Sequence, residues 1–139
     1  MIVKSFELKK VSLDSKIFLI YGENDGLKKE IRSEITKQFQ GKEISYDESE
    51  IIKNFDEFIN SIKNQSLFDN KKIITINRCT EKISEIIFEV INYRIDDVII
   101  IDTGILEKKS KIRSFFEKSK EFVIIPTYKD EYHSLMRIA

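Results

Sequence analysis

A single cysteine, Cys79, leaves no room for an internal disulfide and agrees with a reducing compartment. A single histidine, His133, means that no His cluster can form and no Ser/His/Asp triad can be built except around it; it reads as an ordinary surface or interface residue. Excess charge of one sign is missing too. Lys and Arg number 24, Asp and Glu also 24, so no net field steers the chain towards nucleic acid or an anionic membrane, and any charge-driven binding has to be local. The uninterrupted apolar runs, such as Val98–Ile101, are far too short to span a bilayer, and the start "MIVKSFELKK" has no apolar stretch followed by small residues. Together these absences lead to the expectation of a cytoplasmic chain without a membrane partner. At 139 residues the chain is expected to form a single domain over 1–139, large enough to bury roughly two-thirds of its unfolded surface.

What is present is an alternation, five times over, of a short apolar run and a stretch with helical spacing. "KIFLIYG" (Lys16 to Gly22) predicts a buried strand, and Leu27, Ile31, Ile35 and Phe39 then fall on one helix face. "KEISYD" (Lys42 to Asp47) predicts a second strand, followed by one helix to about Asn64 with Ile51, Ile52, Phe55, Phe58, Ile59 and Ile62 as its stripe. "KKIITIN" (Lys71 to Asn77), "DDVIIID" (Asp96 to Asp102) and "FVIIPTY" (Phe122 to Tyr128) predict three more strands. The helices after them carry Ile83, Ile86, Ile87, Val90 and Ile91, then Ile112, Phe115 and Phe116, and finally Tyr132, Leu135 and Met136. An extra strand before the first is expected in "IVKSFEL" (Ile2 to Leu8). Continuous Ile and Val runs imply burial on both faces, hence an α/β fold with a mostly parallel five-stranded sheet and helices on both faces. Ligands of such sheets sit beyond the carboxyl ends of the strands.

Those ends are therefore where chemistry is sought. "YGENDGLKKE" follows strand one, where a phosphate-binding loop would read GxxxxGK[ST]. Gly22 and Gly26 are one residue too close, Leu27 stands where the Lys belongs, and Lys28 is followed by Lys29 and Glu30. The preferred reading is a tight turn at Gly26 with Asn24 or Asp25 capping the helix, ahead of nucleotide binding. After strand four, "VIIIDTG" resembles the metal-holding strand of such enzymes up to Asp102, but Thr103 replaces the Glu that would activate water. Asp102 is then either a relict metal ligand or a strand-end residue capping a turn. With the Lys, the Ser/Thr and the Glu all missing, no group is left to polarise a γ-phosphate or a water, and no catalytic residue, metal ligand or cofactor is assigned.

The remaining candidates read as structural. Cys79 follows Arg78 at the end of strand three without a clearly activating context and is taken as a buried or half-buried bystander. Asp47, Glu48 and Glu50 precede a helix, where carboxylates suit the positive end of the dipole. Lys108, Lys109, Lys111, Arg113, Lys118 and Lys120 are expected on one helix as a solvated face, diluted by Glu107, Glu117 and Glu121; phosphate contacts are the alternative.

"NQSLFDNKK" stands apart because it sets Leu67 and Phe68 side by side in a polar segment between a helix and a strand. Either the pair tucks beneath the sheet or it forms a plug for a groove on a partner. "QSLF" (Gln65, Ser66, Leu67, Phe68) resembles the bacterial clamp-binding peptide QLxLF. In order and spacing, "YGENDGL", "QSLFDNKKIITI", "DDVIIIDTGILEKKSKIRSFFEK" and "FVIIPTYKDE" resemble the N-terminal domain of the delta subunit family of the bacterial DNA polymerase III clamp loader, over about Ile17 to His133. The resemblance implies an AAA+-like fold that has lost ATP binding. It also implies that Leu67 and Phe68, flanked by Gln65 and Ser66, wedge into the β sliding clamp and help open it for loading onto primed DNA. The position of Gln65 departs from the family, where an apolar contact residue can stand. Other partners so implied are the delta prime and tau/gamma subunits, with primed DNA reached indirectly. Family members carry further lid and collar domains, so the chain is expected to be a fragment. A degenerate P-loop-like NTPase and a nucleic-acid-binding domain are the alternatives.

Overall fold

The computed structural model describes residues 2, 17–39, 41–63, 72–91, 97–119 and 122–127. The elements run β1 (Ile17–Gly22), α1 (Asp25–Phe39), β2 (Lys42–Asp47), α2 (Glu48–Lys53), α3 (Phe55–Lys63), β3 (Lys72–Cys79), α4 (Ile83–Val90), β4 (Val98–Thr103), α5 (Lys111–Lys118) and β5 (Val123–Thr127). The strands form one sheet in the order β2-β3-β4-β1-β5, with every pairing parallel. The fold is α/β, as the continuous apolar runs require. β1, for instance, is buried along its whole length.

Handedness decides which helix covers which face. From β1 the chain steps across the sheet to β2, then returns through β3 and β4 and passes β1 to reach β5. Right-handed crossovers made in opposite directions put their helices on opposite faces. Accordingly, among the described residues, Leu27, Ile31 and Ile35 of α1 pack on Phe18, Ile20, Ile100 and Ile125. Ile51, Phe58, Ile83, Ile87, Ile112 and Phe116 from α2 through α5 cover Leu19, Ile76, Ile99 and Ile101 on the other face. Alternate residues of one strand thus serve two separate cores, each fully buried Ile or Leu contributing about 1.5–3 kcal/mol by transfer from water.

Two expectations need correction. The single helix from Ile51 to about Asn64 is two helices, interrupted at Asn54 (φ −125°, ψ 48°). Asn54 closes α2 through its N–H to the Glu50 carbonyl and opens α3 by accepting from the Phe58 N–H, both at 3.1 Å. The break turns Ile52 out of the stripe to 46% exposure. Strand three extends past Asn77 to Cys79 through a bulge: Arg78 takes φ 54°, the register shifts between Ile76 and Cys79, and Cys79 pairs with Thr103. Of the expected strand Ile2–Leu8, Ile2 makes an isolated parallel bridge to Ile124, while residues 3–8 lie outside the described residues. So do Tyr132, His133, Leu135 and Met136 of the expected closing helix. Among the described residues no helix is long and apolar enough to cross a membrane.

Candidate functional site

β1 and β4 are neighbours in the sheet, yet the chain leaves β1 towards the α1 face and leaves β4 towards the face of α5. Where adjacent strands send their connections to opposite faces, the carboxyl ends part and leave a crevice, the usual ligand position in an open parallel sheet. Gly22, Gly26 and Asp102 all fall at this place, and the structure brings Gly22 and Asp102 to its two sides.

Gly22 ends β1 with φ +121°, and a Cβ there would lie 2.2 Å from the Thr127 carbonyl oxygen. Its N–H bonds the Gly104 carbonyl at 3.0 Å, while the Thr127 hydroxyl donates to the Tyr21 carbonyl at 2.7 Å. Only glycine fits so close a meeting of β1, β5 and the β4 exit. Asn24 then caps α1, its Oδ1 accepting from the Leu27 N–H at 3.0 Å, as expected of it. Gly26 does not make a tight turn. It is the second residue of α1, because the Asn24 cap starts the helix one residue earlier than a turn at Gly26 would allow.

The crevice itself is filled from within. Lys28 is only 5% exposed, and its Nζ donates to the Thr103 carbonyl at 2.6 Å and meets Asp102 Oδ1 at 3.0 Å. Arg32, one helical turn further along α1, pairs with Asp102 Oδ2. Both oxygens of Asp102 are thereby engaged: it caps no turn but serves as the shared counter-ion of two cations that would otherwise repel at i and i+4. Sequence reasoning weighed Asp102 and passed over Lys28 and Arg32. The signal available was a Lys/Arg pair at helical spacing opposite a strand-end carboxylate.

Two cavities lie beside the crevice, one of about 550 Å³ lined by Tyr21, Ile105, Leu106 and Thr127, and one of about 840 Å³ lined by Thr80, Glu81, Ser110 and Lys111. Arg113 also lines the first. Its guanidinium stands 5.0 Å over the Tyr21 ring, donates to the Leu106 carbonyl at 2.8 Å and pairs with Glu117 at 3.2 Å. The basic residues are therefore not one solvated helix face. Lys108 and Lys109 precede α5, Lys111 and Lys118 are exposed on it, Arg113 is committed to internal contacts, and Lys120 lies outside the described residues. The cause is the Ser110 side chain, which caps α5 by accepting from the Arg113 N–H and so delays the helix start.

Cys79 is buried, and the loss of hydration, reinforced by the carboxylates of Glu48 and Asp102, pushes its thiol well above the ordinary range. The burial is as expected, and it disfavours the reactive thiolate form. Glu48, in the first turn of α2, is buried and accepts from the Thr80 N–H at 2.8 Å and hydroxyl at 2.7 Å, tying α2 to the end of β3. Asp47 and Glu50 form the reciprocal cap of α2, the Glu50 side chain taking the Asp47 N–H at 3.3 Å. Among the described residues no group of three or more His, Cys, Asp or Glu gathers that could hold a metal ion. Gln65, Ser66, Leu67 and Phe68 lie outside the described residues, as does Glu121. No family model matches this sequence, and no curated protein does either.

Proposed function

We propose that the chain is a non-catalytic, AAA+-like domain that binds the β sliding clamp and helps open it, in the manner of the N-terminal domain of the polymerase III delta subunit. The observation that carries the non-catalytic half is the Lys28–Asp102–Arg32 cluster. In the crevice where a P-loop-like fold would hold phosphate and metal, the buried ammonium of Lys28 is tied to Asp102 and the Thr103 carbonyl. The all-parallel sheet, with its first strand flanked on both sides, is compatible with that fold. The clamp-binding half rests on the likeness of Gln65–Phe68, between α3 and β3 in the chain, to a clamp-binding peptide. Burial of Leu67 and Phe68 would supply binding energy to a distorted clamp conformation, so the ring opens without nucleotide chemistry in this domain. Delta prime and tau/gamma subunits would be its neighbours, and primed DNA an indirect one.

The test pairs two measurements on Leu67→Ala/Phe68→Ala. Each side chain is worth roughly 1.5–3 kcal/mol on leaving water, so affinity for purified clamp, read by surface plasmon resonance, should fall on the order of a hundredfold or more. The melting temperature should stay close to that of the wild type. A large drop in melting temperature would place the pair in the domain's own core, and unchanged affinity would remove it from the interface.

A further inference from the structure

We propose that the outer edge of β2 is a self-recognition surface, on which a second copy of this chain adds its own β2 antiparallel to make one continuous sheet; the proposal is independent of the clamp-binding reading. The two edges of the sheet are unlike. β5 is buried along its whole length and is bridged by Ile2. β2 pairs with β3 on one side in an unbroken register from Lys42 to Asp47, and among the described residues no strand lies on its other side. Lys42, Glu43 and Ser45 are exposed along it. Such an edge presents a row of N–H and C=O groups that another strand can join, and β2 has neither a proline nor a bulge to prevent it. Its side chains select both the occupant and the register. A two-fold axis normal to the sheet pairs identical edges antiparallel and keeps each face on its own side, so opposed residues must lie an even number of positions apart. Centring on Glu43 would set that carboxylate against its own copy, and centring on Ser45 would set it against Asp47, both repulsive. Centring on Ile44 avoids both. It opposes Ile44 to Ile44, Glu43 to Ser45, and Lys42 to Tyr46, whose ring is held edge-on by Phe58 at 5.7 Å between centroids. An apolar pair flanked on either side by an ammonium and an aromatic ring is complementary to itself. A contact of six residues a side is small, so association is expected at roughly 10–100 μM.

Sedimentation velocity on the full chain between about 5 and 500 μM tests this, with thermal unfolding of each variant as the control for folding. Wild type should pass from monomer to dimer as concentration rises, and the amides of β2 should gain hydrogen-exchange protection over the same range. Ile44→Lys, which opposes two like charges at the centre of the contact, should weaken the dimer at least about tenfold. Ser45→Lys places a cation across from Glu43 twice over and should tighten it about two- to tenfold, whereas in the register centred on Ser45 it would oppose like charges and weaken it. Ser45 is exposed at the edge, so this second variant decides the matter should Ile44→Lys not fold. The proposal is overturned if wild type stays monomeric throughout, if a dimer forms without protecting β2, if Ile44→Lys dimerises as well as wild type does, or if Ser45→Lys leaves the dimer unchanged or weaker.

Discussion

Replacing Lys28 by Met keeps the length and most of the volume of the stem while deleting the ammonium, so it separates charge from packing at the sealed crevice. Two contacts disappear: the hydrogen bond to the Thr103 carbonyl and the ion pair with Asp102 Oδ1. Removing one partner of a buried ion pair commonly costs about 3–5 kcal/mol because the other charge is left uncompensated. Here Asp102 keeps Arg32, whose side chain is 29% exposed and partly hydrated, so the smaller figure for a lost charged hydrogen bond, about 1.5–3 kcal/mol, applies. Asp102→Asn should cost more, roughly 3 kcal/mol or above, since it strips two cations of their single anion and one of them, Lys28, is almost fully buried. The double variant Lys28→Met/Asp102→Asn should then lose less than the sum of the two single losses, by a coupling of about 1–2 kcal/mol. Urea unfolding followed by circular dichroism reads all four proteins, and the slope of the transition checks that the folded states remain comparable. Equal stability of Lys28→Met and wild type would refute the reasoning, because it would mean that the ammonium is solvated and the crevice open. Additive losses would refute the shared counter-ion.

Gly22→Ala should destabilise by about 3 kcal/mol or more, since its Cβ would meet a backbone carbonyl at 2.2 Å at a φ of +121°, whereas Gly104→Ala, with nothing within 4 Å of its Cβ, should be nearly neutral in the same unfolding assay. Equal effects at the two sites would mean that β1 and β5 part more easily than this geometry states. Cys79 sets an alkaline limit: its folded thiol is held above the ordinary range, so its contribution is fully present below the unfolded pKa of about 8.5 and is lost as pH rises above it, by up to about 1.4 kcal/mol per unit. Unfolding midpoints of wild type and Cys79→Ala compared between about pH 8 and 10 check the slope, and parallel curves would show the thiol to be hydrated after all.

Legibility in the sequence followed the range of the interaction. All five strands were readable because burial on two faces writes itself as an unbroken apolar run, needing no knowledge of the neighbours. Which helix covers which face was not readable, since handedness assigns faces only once strand order is known. The break at Asn54 was hidden because Ile51, Phe55, Phe58, Ile59 and Ile62 fit one helical period as well as two, and only the exposure of Ile52 betrays it. Gly26 looked like a turn because local propensity favours one, and the Asn24 cap overrode it. Lys28 was least legible. Lysine on a helix ordinarily points to water, and what draws this one inside is a carbonyl 75 residues further along the chain. Asp102 was identified by residue type at the correct strand end, while its role depended on those distant cations.

A domain that binds nucleotide in the crevice of its sheet takes part of its stability from the ligand, by about 2.7 kcal/mol at a hundred times the dissociation constant. Here the equivalent charge is supplied by the chain: Lys28 and Arg32 neutralise Asp102, and Gly22 lets β1, β5 and the β4 exit close directly on one another. An ATP triphosphate entering there would have to displace Lys28 from a carboxylate and a buried carbonyl, and a magnesium ion would have to displace both cations from Asp102. Under the proposed function such displacement has no purpose, because the work is done by an apolar pair elsewhere. The melting temperature of the wild-type chain should therefore be indifferent to millimolar Mg-ATP, and calorimetry should show no saturable binding below that range. For a chain of this length 1 kcal/mol of ligand stabilisation corresponds to roughly 3–5 °C, well within thermal-shift detection. A saturable, magnesium-dependent rise at micromolar ATP would mean that the Lys28–Asp102 pair opens readily, and would return the nucleotide-binding alternative to first place.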